Sequence, residues 1–170
     1  GPTGSGKTLS AFLWSLDRLF HDGTGGTERT RVLYISPLKA LGVDVERNLR
    51  SPLRGIEQAA FRLGETPREV VVGTRTGDTP ANERRKFAKT PPDILITTPE
   101  SLFLMLTSGA RAGLAGIETV IIDEIHYVAG TKRGAHLALS LERLDELLDA
   151  PARRIGLSAT VEPVSAVSEY

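Results

Sequence analysis

Two apolar rhythms alternate along this chain. Leu9, Phe12, Leu13, Leu16 and Phe20 recur at helical spacing and predict an amphipathic helix from about Thr8 to Phe20, with Trp14 off its stripe. Asp22 to Thr27 reads as a loop, and the unbroken apolar run from Val32 to Ile35 as a strand. Ser36-Pro37-Leu38-Lys39-Ala40-Leu41 turns out of that strand into a second helical stretch. Ser51-Pro52 has the form of an N-cap and first-turn proline, and predicts a third helix with Leu53, Ile56, Ala60 and Leu63 facing inward. Val70-Val71-Val72 predicts a short strand that ends in the turn Gly73 to Asp78. Thr79-Pro80 then opens a helix to Lys89, whose Glu83, Arg84, Arg85, Lys86 and Lys89 read as a solvated face. Asp93 to Thr97 is the next strand, Thr98-Pro99 opens a helix bearing Leu102, Phe103 and Leu106, and Thr119 to Ile122 is a fourth strand. Beyond Gly134, Leu137, Leu141, Leu144 and Leu148 form a helical stripe, and Arg154 to Leu157 makes a last strand ending in Ser158-Ala159-Thr160. Five apolar strands alternating with helices predict an α/β domain, a mostly parallel sheet covered by helices on both faces.

At 170 residues the chain suits one domain with a real core. Basic and acidic side chains balance at 21 each, so no global positive field draws in a polyanion and any nucleic-acid binding must be local. The absence of cysteine excludes disulfides and thiolate zinc sites, and fits a reducing compartment. No apolar run approaches the ~20 residues of a membrane span, which argues against a membrane partner. The chain does not begin with Met, and no strand precedes its glycine-rich start, so the expectation is a piece of a longer protein, truncated at its N-terminus.

That start carries the first candidate chemistry. Gly1-Pro2-Thr3-Gly4-Ser5-Gly6-Lys7-Thr8 fits G-x-x-x-x-G-K-[ST] at every position. In such a loop the backbone N–H groups of Gly4, Ser5 and Gly6 line a phosphate cradle, Lys7 reaches the β- and γ-phosphates, and the Thr8 hydroxyl is a ligand for Mg²⁺. The following helix adds the positive end of its dipole. In a parallel sheet, ligands bind beyond the carboxyl ends of the strands, and five more turns fall there. Asp123, just past a strand, is placed to hold Mg²⁺ through water opposite Thr8, and Glu124 to orient and activate the water that attacks the γ-phosphate. His126 with Ser158 and Thr160 suits a pair that reports whether the γ-phosphate is present. His21 and His136 read as structural. The turns Pro37 to Lys39, Arg75 to Asp78 and Thr98 to Ser101 combine helix starts, small hydroxyl residues and positive side chains, the usual means of holding a phosphate backbone without reading bases. Plain helix capping is the competing explanation for each. Asp78 and Glu100 suit caps, or contacts to sugar hydroxyls and basic side chains, better than contacts to phosphate.

The series GPTGSGKT, SPLKAL, TGD, TTPESL, DEIH and SAT, in that order, resembles motifs I, Ia, the Ib region, II and III of superfamily 2 helicases of the DEAD/H-box type. LYISPLKALGVDVERNLRSPL, RTGDTPANERRKF and ILITTPESLFLML look more narrowly like the large helicase-related (Lhr) family of prokaryotes. The resemblance implies a RecA-like P-loop NTPase fold, with residues 1–170 as the first of two such domains, and an ATP- and Mg²⁺-dependent translocase. It implies movement 3′ to 5′ on single-stranded DNA, unwinding of duplexes or RNA–DNA hybrids, a role in DNA repair, and a cytoplasmic place at the prokaryotic nucleoid. Carried over by position, Lys7, Thr8, Asp123 and Glu124 serve phosphate, metal and water, while His126, Ser158 and Thr160 couple hydrolysis to movement. Pro37, Lys39, Arg75, Thr76, Gly77, Thr98, Pro99 and Ser101 become contacts to the tracked strand. DEIH departs from DEAD in its last two positions, which points away from the RNA-dedicated branch. The family's arginine finger belongs to a second RecA-like domain that would follow Tyr170, so residues 1–170 alone are expected to bind nucleotide weakly and hydrolyse it barely. Two other readings stay open, a nucleotide-switched nucleic-acid clamp and an RNA helicase; a small-molecule kinase would leave the polyanion turns without a purpose.

Overall fold

The computed structural model describes residues 6–21 and 29–158. The five strands β1 (Val32–Ile35), β2 (Val72–Arg75), β3 (Ile94–Thr97), β4 (Thr119–Ile122) and β5 (Arg153–Gly156) form one parallel sheet in the order β2-β3-β1-β4-β5. The central strand β1 pairs with β3 on one side, Val32 beside Ile94, and with β4 on the other, Val32 beside Thr119. β1, β3 and β4 are buried along their whole length, as continuous apolar runs in a two-faced sheet must be. The edge strands β2 and β5 are partly exposed.

Side chains on successive strand residues point to opposite faces, and each face carries its own helices. Val32, Tyr34, Ile94, Ile96 and Ile121 pack against α1 (Lys7–His21) and α2 (Lys39–Arg62). Leu33, Ile35, Leu95, Val120 and Ile122 pack against α4 (Pro99–Leu106), a 3₁₀ turn (Gly109–Leu114) and α5 (Lys132–Asp145). Helix α3 (Ala81–Lys89) buries none of its residues, in keeping with its charged composition.

Several expectations are corrected in detail. The two helices expected between Lys39 and Leu63 are one, with Pro52 inside it. Gly42, Val45, Leu49 and Leu53 form a single buried stripe that crosses the proline, and a break there would swing its two halves apart. Burial of about 1.5–3 kcal/mol for each large side chain outweighs the roughly 3 kcal/mol that a mid-helix proline costs. Leu63 lies past the helix end and is exposed. The α1 stripe is rotated slightly from the expected one: Ala11 and Leu19 are buried, and Leu13 is exposed. Trp14, off the stripe, lies between the guanidinium groups of Arg18 and Arg153, at 5.1 and 4.6 Å from its ring. Strand β2 begins at Val72, two residues later than the valine run suggests, because the Asp93 carboxylate accepts the Val71 N–H at 2.8 Å and the ladder with β3 starts only at Ile94. Gly73 then sits mid-strand, where a Cβ would meet the Phe87 ring at 2.9 Å and Pro92 at 3.0 Å. Helix α5 stops at Asp145, leaving Leu148 beyond it, and β5 spans Arg153–Gly156, one residue earlier than expected. Among the described residues, no helix is long and apolar enough to cross a membrane.

Candidate functional site

The carboxyl ends of five parallel strands make one rim. The ladder runs past the strands into the turns: Ser36 N–H donates to Thr97 O (2.9 Å), Asp123 N–H to Ile35 O (2.9 Å), Leu157 N–H to Ile122 O (2.8 Å) and Ile125 N–H to Leu157 O (3.0 Å). Sheet order therefore fixes the order of the turns in space. Arg75 to Gly77 comes first, then Thr98 to Ser101, Pro37 to Lys39, Asp123-Glu124, and Ser158.

Lys7 and Thr8 open α1, with Gly6 immediately before them; Lys7 is exposed and Thr8 half-buried. Both the N–H and the hydroxyl of Ser10 bond the Gly6 carbonyl at 2.7 Å, which winds the first turn tightly. No acidic residue stands in that turn, so the positive end of the helix dipole is not neutralised from within. Gly4, Ser5 and Thr160 lie outside the described residues.

Below this helix start is Tyr34, wholly buried on β1, its ring stacked on Phe12 at 5.4 Å and 17°. The side chains of Asp123 and Thr8 flank its hydroxyl, so the acid at the end of β4 and the hydroxyl at the head of α1 face one small space. Burial first, and then the Asp123 carboxylate, raise the phenol's pKa far above the tyrosine norm.

Asp123 takes the N–H of Glu124 on Oδ1 at 3.0 Å. Glu124 adopts a left-handed conformation (φ 46°, ψ 45°), the only non-glycine residue to do so among those described. Such a backbone costs on the order of 1–3 kcal/mol and clusters at functional sites. Its consequence is that the Glu124 side chain turns inward: the residue is 8% exposed, and Oε2 is buried with no hydrogen-bond partner. His126 Nδ1 is 3.3 Å from that oxygen, within ion-pair distance but not aligned as a hydrogen bond, and 2.9 Å from Ser158 Oγ, a good bond. The His126–Ser158 pair expected from the sequence is thus formed across β4 and β5.

On the other half of the rim, Lys39 reaches from the head of α2 to Asp78 at 2.6 Å, tying the turn after β1 to the turn after β2. Arg84 donates to the carbonyls of Gly77 and Thr79 and clamps the second turn from α3. Thr79 does not cap α3: its hydroxyl accepts the Thr76 N–H at 2.8 Å and closes the same turn. Arg75 is half-buried, and burial, then the charge of Arg84, loosen the hold on its proton. Thr76 is half-buried and Gly77 exposed. Thr98, Pro99 and Ser101 are buried; Thr98 Oγ1 caps α4 by accepting the Ser101 N–H and meets Ser101 Oγ at 3.1 Å. Pro37 is buried too, in the bend between β1 and α2. Glu100 makes a two-pronged pair with Arg133, whose hydrogen bonds lower the carboxyl pKa. As the sequence suggests, Asp78 and Glu100 face basic side chains.

Two residues of the site escape sequence reasoning. Arg84 is one cation among several on an exposed helix, and only its spacing of seven residues from Gly77 hints at a clamp. Tyr34 stands in an apolar run, where a tyrosine reads as core.

A family model described as DEAD/DEAH box helicase matches residues 1–167. The Lhr helicase/probable uracil glycosylase of Mycolicibacterium smegmatis is 64% identical over 169 residues, covering 99% of this chain and 11% of the relative. The Lhr helicase/uracil glycosylase of Escherichia coli is also 64% identical, over 175 residues, with the same coverage of 99% and 11%. The chain thus spans about a tenth of the length of these curated relatives. A solved structure of Mycobacterium smegmatis helicase Lhr bound to ssDNA and AMP-PNP superposes with a TM-score of 0.94 at 64% identity, covering 100% of this chain and 21% of that one. The parallel α/β sheet, Lys7 and Thr8 at the head of α1 and the Asp123-Glu124 pair at the end of β4 agree with that match, and the chain belongs to the DEAD/DEAH box helicase family.

Proposed function

We propose that this chain is the first RecA-like motor domain of an ATP-driven helicase that tracks single-stranded DNA 3′ to 5′ and opens duplexes or RNA–DNA hybrids. The observation that carries this reading is Glu124: a buried carboxylate oxygen with no hydrogen-bond partner, turned inward by a strained backbone beside Asp123. An acceptor left empty at that cost suits a water that must be oriented and relieved of a proton, which a simple nucleotide-switched clamp does not require.

In this reading the loop through Gly4, Ser5 and Gly6 and the head of α1 hold the phosphates, and Lys7 adds its charge to them. The Thr8 hydroxyl and Asp123 carboxylate are hard oxygen donors flanking one buried hydroxyl, a set that fits Mg²⁺, which takes few protein ligands and completes its shell with phosphate and water. Bound there, Mg²⁺ would neutralise charge on the phosphate oxygens. His126 and Ser158 bridge β4 to β5, so a change at Glu124 is felt at the turn that continues to Thr160. Lys39, Arg75, Thr76 and Gly77 lie on the accessible part of the rim and suit contacts to the DNA backbone. Pro37, Thr98, Pro99 and Ser101 shape the turns and offer backbone groups. A second RecA-like domain of the same protein supplies the arginine finger and the other wall of the groove. The Lhr relative solved with ssDNA and AMP-PNP supports nucleotide and DNA as the two ligands, and likeness to the prokaryotic Lhr proteins supports a cytoplasmic place at the nucleoid and a role in DNA repair.

Strand displacement by the full-length protein tests the reading. With ATP and Mg²⁺, duplexes carrying a 3′ single-stranded tail should open and those carrying a 5′ tail should not. Equal opening of both would refute the direction, and opening of neither would refute the motor.

A further inference from the structure

The Tyr34 hydroxyl is an anomaly. Its ring is fixed by Phe12, which lies one helical turn beyond Thr8 on α1 and stacks on it at 5.4 Å. Tyr34 stands beside Ile121 in the parallel register, and Asp123, two residues further along, continues that row at the end of β4. Together these constraints aim the hydroxyl at the gap between the head of α1 and the end of β4, where Thr8 and Asp123 flank it. Yet it is buried, and although the Asp123 and Thr8 side chains are close enough to interact with it, it forms no well-aligned hydrogen bond with any described protein atom. Buried phenols normally have a partner, and an unsatisfied one costs about 1–3 kcal/mol. A phenylalanine would fill the same volume without that cost.

We propose that Tyr34 is a positioning residue for the metal site: its hydroxyl, already beside the Asp123 carboxylate, forms an aligned hydrogen bond to it when metal and nucleotide load, fixing the orientation of the carboxylate toward the ion. A phenol is protonated at neutral pH and therefore donates. Oδ1 of Asp123 is already held by the Glu124 N–H, so a bond from Tyr34 fixes the carboxylate on a second side. Hydrogen bonds of this kind behind a metal ligand typically set affinity by about 10–100-fold. The inference rests on the Mg²⁺–nucleotide reading of Thr8 and Asp123 given above.

The test is Tyr34→Phe in the full-length protein, read by binding of a fluorescent non-hydrolysable ATP analogue across a Mg²⁺ titration, by the same binding in chelator, and by thermal unfolding without ligand. The ligand-free melting temperature should stay the same or rise, since an unsatisfied hydroxyl is removed. Analogue binding in chelator should be unchanged. The Mg²⁺ concentration for half-maximal binding should rise roughly tenfold or more. An unaltered Mg²⁺ requirement overturns the proposal. So does a lower ligand-free melting temperature with equal loss of binding in Mg²⁺ and in chelator, which marks a purely structural tyrosine. If the wild-type protein binds the analogue with no dependence on Mg²⁺, the metal reading itself fails and takes this proposal with it.

Discussion

Glu124 and Arg84 show two ways a single residue shapes this site. Glu124 accepts a disfavoured backbone in order to bring its carboxylate under cover, a combination that packing alone does not reward. Arg84 shapes the site indirectly, by bonding two carbonyls of the turn that follows Arg75, those of Gly77 and Thr79. Arg84→Ala should loosen that turn. Bonds from a guanidinium to carbonyls are worth on the order of 1 kcal/mol each at a partly exposed site, so affinity for single-stranded DNA should fall roughly fivefold or more while affinity for ATP is kept. Fluorescence anisotropy with a labelled oligonucleotide, at fixed salt, measures the first and analogue binding the second; equal losses in both would show that Arg84 supports the domain as a whole. Lys7 and Thr8 stand out by the motif that holds them, and Asp123, Glu124 and His126 by following an apolar strand, so the roles proposed for all five start from the sequence. The role of Tyr34 does not, because its meaning depends on a register between residues 87 apart in the chain, Val32 beside Thr119 and Tyr34 beside Ile121.

Helix α2 shows what local signals miss at the scale of an element. Ser51-Pro52 is a good helix start by residue type, but the stripe Val45, Leu49, Leu53 continues through it, and the tertiary requirement prevails. Pro52→Ala is then expected to stabilise the protein, by up to about 3 kcal/mol, because it restores an interior hydrogen bond and removes a steric clash. Chemical denaturation measures this. If Pro52 were instead the first residue of a separate helix, the change would be neutral or destabilising. Strand β2 carries a related lesson. Val70-Val71-Val72 has the strongest strand propensity of its neighbourhood, but pairing begins where β3 begins, and Asp93 takes the Val71 N–H for itself. By contrast β1, β3, β4 and the start of α4 were read correctly, since an unbroken apolar run or a Thr-Pro cap with a bonded hydroxyl leaves few alternatives.

Across the whole molecule, sheet order divides the rim by task. The turns after β2, β3 and β1 carry the proposed DNA contacts, and those after β4 and β5 carry Asp123, Glu124, His126 and Ser158. Strand β1 belongs to both halves, with Lys39 beyond its end on one side and Tyr34 beneath the proposed nucleotide residues on the other. The number and kind of strands follow from hydrophobic runs, but this division does not, because β1 lies between β3 and β4 only in space. With basic and acidic side chains balanced at 21 each, affinity for DNA should depend on a few local phosphate contacts rather than on a global field.

The central claim is that hydrolysis at Glu124 is geared to a nucleic-acid strand on the same rim, and steady-state ATP hydrolysis by the full-length protein and its Glu124→Gln variant, with and without single-stranded DNA, tests it most directly. The wild-type rate should rise with DNA. The variant should bind nucleotide and DNA as before but lose roughly 10²–10⁴-fold in the stimulated rate. A wild-type rate indifferent to DNA, or a variant that hydrolyses ATP as fast as the wild type, would contradict it.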